Sequence, residues 1–203
     1  MRSKLSTLLE SYGLLNESEL KIISSYFKIK KIKKNAFLPE IGQDNAKIYY
    51  VNEGILSVFV NYGTENETIL RLIGSDEFAI FAESFKFSNE SKIAVKALVD
   101  STVLIINKLD LEKLYTEIPN SNILVRKLTQ ISLVNYESLI FLLKQKPNQK
   151  RYELFEKMFP NLAIKLSEKC KASFLNIDPC EISRIRKRIS IGLTYYPKDY
   201  FIV

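Results

Sequence analysis

The 203-residue sequence contains no histidine and no tryptophan, only two cysteines and only six glycines. Each shortage removes a class of chemistry. Without histidine there is no Ser-His-Asp triad, no Cys-His pair and no imidazole-ligated metal. Cys170 and Cys180 are too few for a structural zinc or an iron–sulfur cluster held by one chain, and they stand ten residues apart. The glycines build neither G-x-G-x-x-G nor a phosphate-cradling loop. No apolar run approaches the roughly 18 residues that span a bilayer. Met1-Arg2-Ser3-Lys4 leads into an amphipathic pattern with Glu10, Glu17 and Glu19 rather than a signal-peptide core, so the expectation is a cytoplasmic protein with reduced thiols. Carboxylates and lysines remain for catalysis, but no arrangement of them points to an enzyme.

What is present is an ordinary globular composition, 46% hydrophobic and 26% charged. The net charge of +7 is unevenly placed. Residues 1–141 carry 17 basic and 17 acidic side chains, whereas residues 142–203 carry 13 and 6. The basic segment is also rich in Leu, Ile and Phe, so it folds rather than trailing as a charged tail. A neutral body joined to a small basic module is the electrostatic outline of a nucleic-acid-binding protein.

Helical periodicity marks residues 4–26 (Leu5, Leu8, Leu9, then Leu20, Ile22, Ile23 and Tyr26), interrupted at Gly13 and restarted at Asn16-Glu17-Ser18-Glu19. Strand-like runs follow at Lys47–Val51, Ile55–Asn61, Thr68–Ile73, Ile93–Val99 and Thr102–Ile106. Gly42, Gly54, Gly63 and Gly74 punctuate them, a spacing that predicts an antiparallel sandwich or barrel. Lys28, Lys30, Lys31, Lys33 and Lys34 read as the solvated face of an edge strand.

The period then returns to helical. A short helix is expected over Asp110–Thr116 and a long one over Ser121–Lys146. About 26 residues span roughly 39 Å. The apolar residues of the long helix (Leu124, Leu128, Ile131, Val134, Leu139, Leu142, Leu143) exceed one packing face, which predicts pairing with a second copy. Lys146-Pro147-Asn148-Gln149-Lys150 reads as a hinge. Three helices are expected after it, Arg151–Met158, Ala163–Leu175 and Pro179–Ile189, then an aromatic strand or tail over Gly192–Val203.

The most informative segment is Ser167–Ile189. Leu175-Asn176-Ile177 suits a tight turn, because Asn is the residue after Gly that best tolerates the left-handed conformation. Asp178 sits where an N-cap belongs, with Pro179 at the first helical position and Glu181 at the third, a capping-box-like start. Around the last helix, Ile182, Ile185 and Ile189 fall within about 60° of one another and predict its packed face. Cys180, Ser183, Arg184 and Lys187 gather opposite, with Arg188 on the flank and Arg186 nearer the packed edge, within reach of a phosphate. A short capped helix offering Ser, Arg and Lys at these spacings suits a DNA major groove.

These residues bring out a resemblance covering nearly the whole chain. Ala172-Ser173-Phe174-Leu175-Asn176-Ile177 and Ile182-Ser183-Arg184-Ile185-Arg186-Lys187 resemble the helix-turn-helix of the cAMP receptor protein / fumarate–nitrate regulator (Crp/Fnr) family. Tyr49-Tyr50-Val51-Asn52-Glu53-Gly54-Ile55-Leu56-Ser57-Val58 resembles a strand pair of that family's β-roll. The resemblance implies an α+β fold, with a cyclic-nucleotide-binding-like antiparallel β-roll over residues 1–120. A dimerisation helix over 121–146 and a winged-helix-like, helix-turn-helix DNA-binding domain over 147–203 would follow. It also implies a homodimer on double-stranded DNA, with RNA polymerase as a further partner. Two departures matter. Cys180 stands where the family's reading helix usually has Glu, and a thiol is a poor acceptor for a cytosine amino group. The stretch Asp76–Val99 lacks both the Gly-Glu pair and the Arg that hold a cyclic phosphate in the family's nucleotide-binding members. Glu83, Ser84, Ser91 and Lys92 are the remaining candidates for a ligand pocket, and Lys92 is a point charge without the planar fork of Arg. No cofactor or metal is identified, and cAMP is not the expected effector. The competing readings are a protein-interaction module with a relic helix-turn-helix, separable by DNA titration at two salt concentrations, and an enzyme built on Glu83 and Glu90.

Overall fold

The computed structural model describes residues 3–38, 47–60, 68–80 and 93–195. Two compact units divide the chain, residues 1–133 and 134–203.

The first unit opens with α1 (Lys4–Ser11) and α2 (Glu17–Tyr26). Asn16 starts α2 through a capping box, its Oδ1 accepting from Glu19 N at 2.9 Å while Glu19 Oε2 accepts from Asn16 N at 2.8 Å. Among the described residues seven strands follow: β1 (Lys28–Ile32), β2 (Lys47–Glu53), β3 (Leu56–Val60), β4 (Thr68–Ile73), β5 (Phe78–Ile80), β6 (Ile93–Ala97) and β7 (Ser101–Asn107). They form a four-stranded sheet in the order β1-β7-β2-β5 and a three-stranded sheet in the order β4-β3-β6, with every pairing antiparallel. The lysine-rich run is indeed an edge strand. Lys28, Lys30 and Lys31 face solvent, Ile32 turns into the core, and Lys33 Nζ just beyond lies 2.9 Å from Asp100 Oδ2. The short strand β5 was not foreseen, since three residues are too few to show a period.

Strand alternation explains two cores. On β2, Tyr49 and Val51 join Val58, Ile73, Val95 and Val103 in one apolar cluster. Ile48 and Tyr50 point the other way, into a second cluster with Leu5, Leu9, Leu20 and Ile23 of the first two helices. That second cluster also takes Leu111 and Leu114 of α3 (Lys108–Glu117) and Leu124 and Leu128 from the start of α4 (Ser121–Leu143). The β2–β3 turn requires its glycine. Gly54 has φ +117°, and a Cβ there would lie 2.1 Å from Ser101 Oγ and 2.7 Å from Ser101 Cα.

The second unit contains the end of α4, then α5 (Asn148–Met158), α6 (Pro160–Lys165), α7 (Glu168–Leu175) and α8 (Pro179–Ser190). Three expectations need correction here. The single helix expected over Ala163–Leu175 is two helices, because Leu166 is extended and buried, and Ser167 N-caps α7 by accepting from Cys170 N at 3.2 Å. The long helix ends at Leu143 rather than Lys146. Asn148–Lys150, expected in the hinge, form the first turn of α5, and Gln149 is buried, donating to Glu153 Oε1 at 2.9 Å. Among the described residues this unit has no strand. Of the expected tail, residues 192–195 are non-strand and 196–203 lie outside the described residues.

Candidate nucleic-acid interface

Helices α7 and α8 meet at a turn that the sequence specifies residue by residue. Asn176 adopts the left-handed conformation (φ 51°, ψ 53°), and Ile177 N donates back to Ala172 O at 3.0 Å, which closes the end of α7. Asp178 Oδ1 then accepts from Cys180 N at 2.7 Å and Glu181 N at 3.3 Å, starting α8 with Pro179 in its first turn. The capping box is left half made: Glu181 Oε2 accepts instead from Asn148 Nδ2 of α5.

The buried side of α8 consists of Ile182 and Ile185, both 0% exposed, facing α5 and α7. Those two helices bury Tyr152, Leu154, Phe155, Ala172, Phe174 and Leu175, with the Phe155 and Phe174 ring centroids 5.7 Å apart. Cys180, Ser183, Arg184, Lys187 and Arg188 are exposed on the remaining surface. Ser183 Oγ donates to Pro179 O at 3.4 Å. Arg186 is exposed too, but its Nη1 lies 3.5 Å from Glu168 Oε1 at the start of α7. The structure thus brings the six expected residues onto one short helix, with Arg186 tied to its neighbour and Arg184, Lys187 and Arg188 pointing outward.

Behind this surface the unit buries charge. Lys171 is 4% exposed, with Nζ 3.1 Å from Glu168 Oε1, 3.7 Å from Glu156 Oε1 and 5.7 Å above the Tyr152 ring. Burial, followed by the hydrogen bond to Glu156, holds the Tyr152 phenol protonated far above its ordinary range. Burial pushes the Cys170 thiol up to about 11. Sequence reasoning missed Arg151, Gln149 and Glu153, whose roles depend on partners from 3 to 44 residues away.

Glu83, Ser84, Ser91 and Lys92 lie outside the described residues. Inside the roll, Arg71 is buried and its Nη2 reaches Phe78 O at 3.4 Å. Burial raises the Glu77 carboxyl above the usual carboxylate range, and the Arg71 charge opposes that shift. Among the described residues, no group of His, Cys, Asp or Glu is placed to hold a metal, and no helix is long and apolar enough to cross a membrane.

Two antiparallel sheets followed by a long helix and a capped helix pair define a class, and the comparisons agree with it. Residues 29–117 match the family model described as cyclic nucleotide-binding domain. The chain shares its fold with FixK2 from Bradyrhizobium japonicum at TM-score 0.64 and 15% identity, covering 81% of this chain and 85% of that one. A putative Crp/Fnr-family transcriptional regulator from Eubacterium rectale matches at TM-score 0.63 and 18% identity, covering 92% and 89%. The c-di-GMP-responsive global regulator CLP of Xanthomonas campestris matches at TM-score 0.64 and 14% identity, covering 87% and 92%. The resemblance read from the sequence therefore holds: residues 29–117 match a cyclic nucleotide-binding domain, and the fold is shared with solved structures that include a putative regulator of the Crp/Fnr family. No curated protein matches the sequence.

Proposed function

We propose that this chain is a homodimeric, sequence-specific DNA-binding transcription regulator of the Crp/Fnr type that does not respond to cAMP. The observation that carries the reading is α8: capped by Asp178, seated on Ile182 and Ile185, and exposing Ser183, Arg184, Lys187 and Arg188. Arg184 is the base reader, bidentate to a guanine, and Lys187 a phosphate contact. Support for the dimer comes from α4. Leu133, Val134, Ile140 and Phe141 are 55–60% exposed. At about 100° per residue Leu133 and Ile140 lie opposite the side carrying Leu124, Leu128 and Leu142, and Val134 and Phe141 lie on one flank. A second copy of α4 covers them, and the two α8 helices then meet half-sites about 34 Å apart. Support for independence from cAMP comes from Asp76–Val99, which contains neither Arg nor Gly.

Selection of bound DNA from a random library, followed by titration at two salt concentrations with and without cAMP, tests the reading. The expected result is a near-palindromic site, a steep salt slope and no shift with cAMP. Arg184→Ala is expected to cost about 1–3 kcal/mol on that site and to relax one base position. Lys187→Ala weakens all sequences alike and flattens the salt slope by about one unit. A chain that selects no site and shows no salt slope is instead a module acting through protein contacts.

A further inference from the structure

The helix that presents the basic face is held from behind by one buried arginine. Arg151 of α5 is 9% exposed, and among the described residues it bonds backbone carbonyls and one amide side chain. Nε donates to Gln145 O at 3.3 Å, two residues past the end of α4. Nη1 donates to Leu175 O at 2.7 Å and to Asn176 O at 3.4 Å, in the α7–α8 turn. Nη2 donates to Asn148 Oδ1 at 3.0 Å, and Asn148 Nδ2 passes the connection on to Glu181 Oε2, 2.6 Å away in the first turn of α8.

A guanidinium is planar, with donors in a fixed fork, so acceptors on three segments fix the angles between those segments. Gln145, Leu175 and Asn176 offer carbonyls at or just beyond helix C-termini, where a cation is favoured and orphan acceptors need donors. A lysine has one point charge and cannot span all three directions.

We propose that Arg151 and Asn148 are positioning residues that hold α8 at one angle to the end of α4, and so set the half-site spacing that the dimer accepts. The proposal rests on the DNA-binding reading above and adds a determinant that does not touch DNA. Two reading heads joined through α4 must enter major grooves one helical turn apart. One added base pair displaces the second groove by about 3.4 Å and rotates it by about 35°. A rigid connection rejects that displacement, whereas a loosened one absorbs it.

The full chain is used to select DNA from a library of half-sites separated by spacers of varied length. Affinity is then measured on the best site and on the same site with one base pair inserted. The parent is expected to lose at least about tenfold on insertion, the loss of a good base contact. Asn148→Ala and Arg151→Lys are expected to bind the best site about tenfold more weakly, the loss of a charge-assisted bond, and to discriminate the two spacings by less than about threefold. Glu181→Gln retains an acceptor for Asn148 and is expected to keep the parent's discrimination. Amide hydrogen exchange in DNA-free protein should rise at residues 176–182 in Asn148→Ala. The positioning role is overturned by parental spacing discrimination in both Asn148→Ala and Arg151→Lys, by equal weakening at both spacings, or by unchanged exchange. A parent that selects no DNA overturns the DNA-binding reading itself, an outcome separate from all of these.

Discussion

The two units of this chain keep their interiors in order by different means. Residues 1–133 carry 17 basic and 16 acidic side chains, residues 134–203 carry 13 and 7, so nearly all of the net charge belongs to the smaller unit. The larger unit is built on strands whose alternate residues enter two apolar clusters. Its described buried polar residues are Ser57, Arg71, Ser101 and Ser121. The smaller unit buries Gln149, Arg151, Glu153 and Lys171 among five helical segments. Apolar contact is non-directional and is satisfied by many arrangements of similar volume. Charge-assisted hydrogen bonds are directional and leave costly orphans when a helix shifts. The smaller unit gains a defined helix orientation from such bonds, whereas the roll and its helices gain stability from area.

The largest expected effect that sharpens this contrast is in the roll. Leu56→Ala, at a fully buried position, should destabilise the first unit by about 2–5 kcal/mol. Calorimetry should show its transition moving while DNA-independent exchange at 176–182 stays unchanged. A smaller effect is expected in the second unit at the left-handed turn. Asn176→Val should cost about 1–2 kcal/mol and Asn176→Gly should carry no such backbone penalty, read by denaturant midpoints.

Glu77→Gln separates the units by pH. The folded carboxyl is raised by burial, so its stabilising contribution is greatest below the unfolded pKa and is lost as pH rises through the folded one. The substitution should therefore raise first-unit stability at neutral pH, with the gain disappearing in acid. An unchanged pH profile would show that Arg71 fully compensates the burial. The smallest effect is kinetic. With its thiol pushed up to about 11 by burial, Cys170 should react slowly with a disulfide reagent at pH 7.5, while exposed Cys180 reacts fast and bound DNA protects it.

Much of this was legible in the sequence where the signal is local. Asn176, Asp178 and Pro179 announced a turn and a helix start because each residue's own backbone preference or short side chain performs the task. The strand runs of β2, β3, β4, β6 and β7 were visible through composition and punctuation, and the lysine run through its edge-strand character. The division of Ala163–Leu175 was also encoded, by Ser167 before Glu168, an N-cap signal inside the stretch read as one helix. The ligand-pocket candidates fall outside the described residues.

The sequence by itself determined where charge gathers, where helices start and which face of the last helix is apolar, because these follow from residue type and a fixed helical period. Only the tertiary structure decided that Glu181 faces Asn148 rather than its own cap, that Arg186 meets Glu168, and that Arg151 joins three segments. Those partners are distant along the chain. A hydrogen bond across such separations is specified by how helices pack, and helix packing is a property of the whole unit rather than of any local pattern.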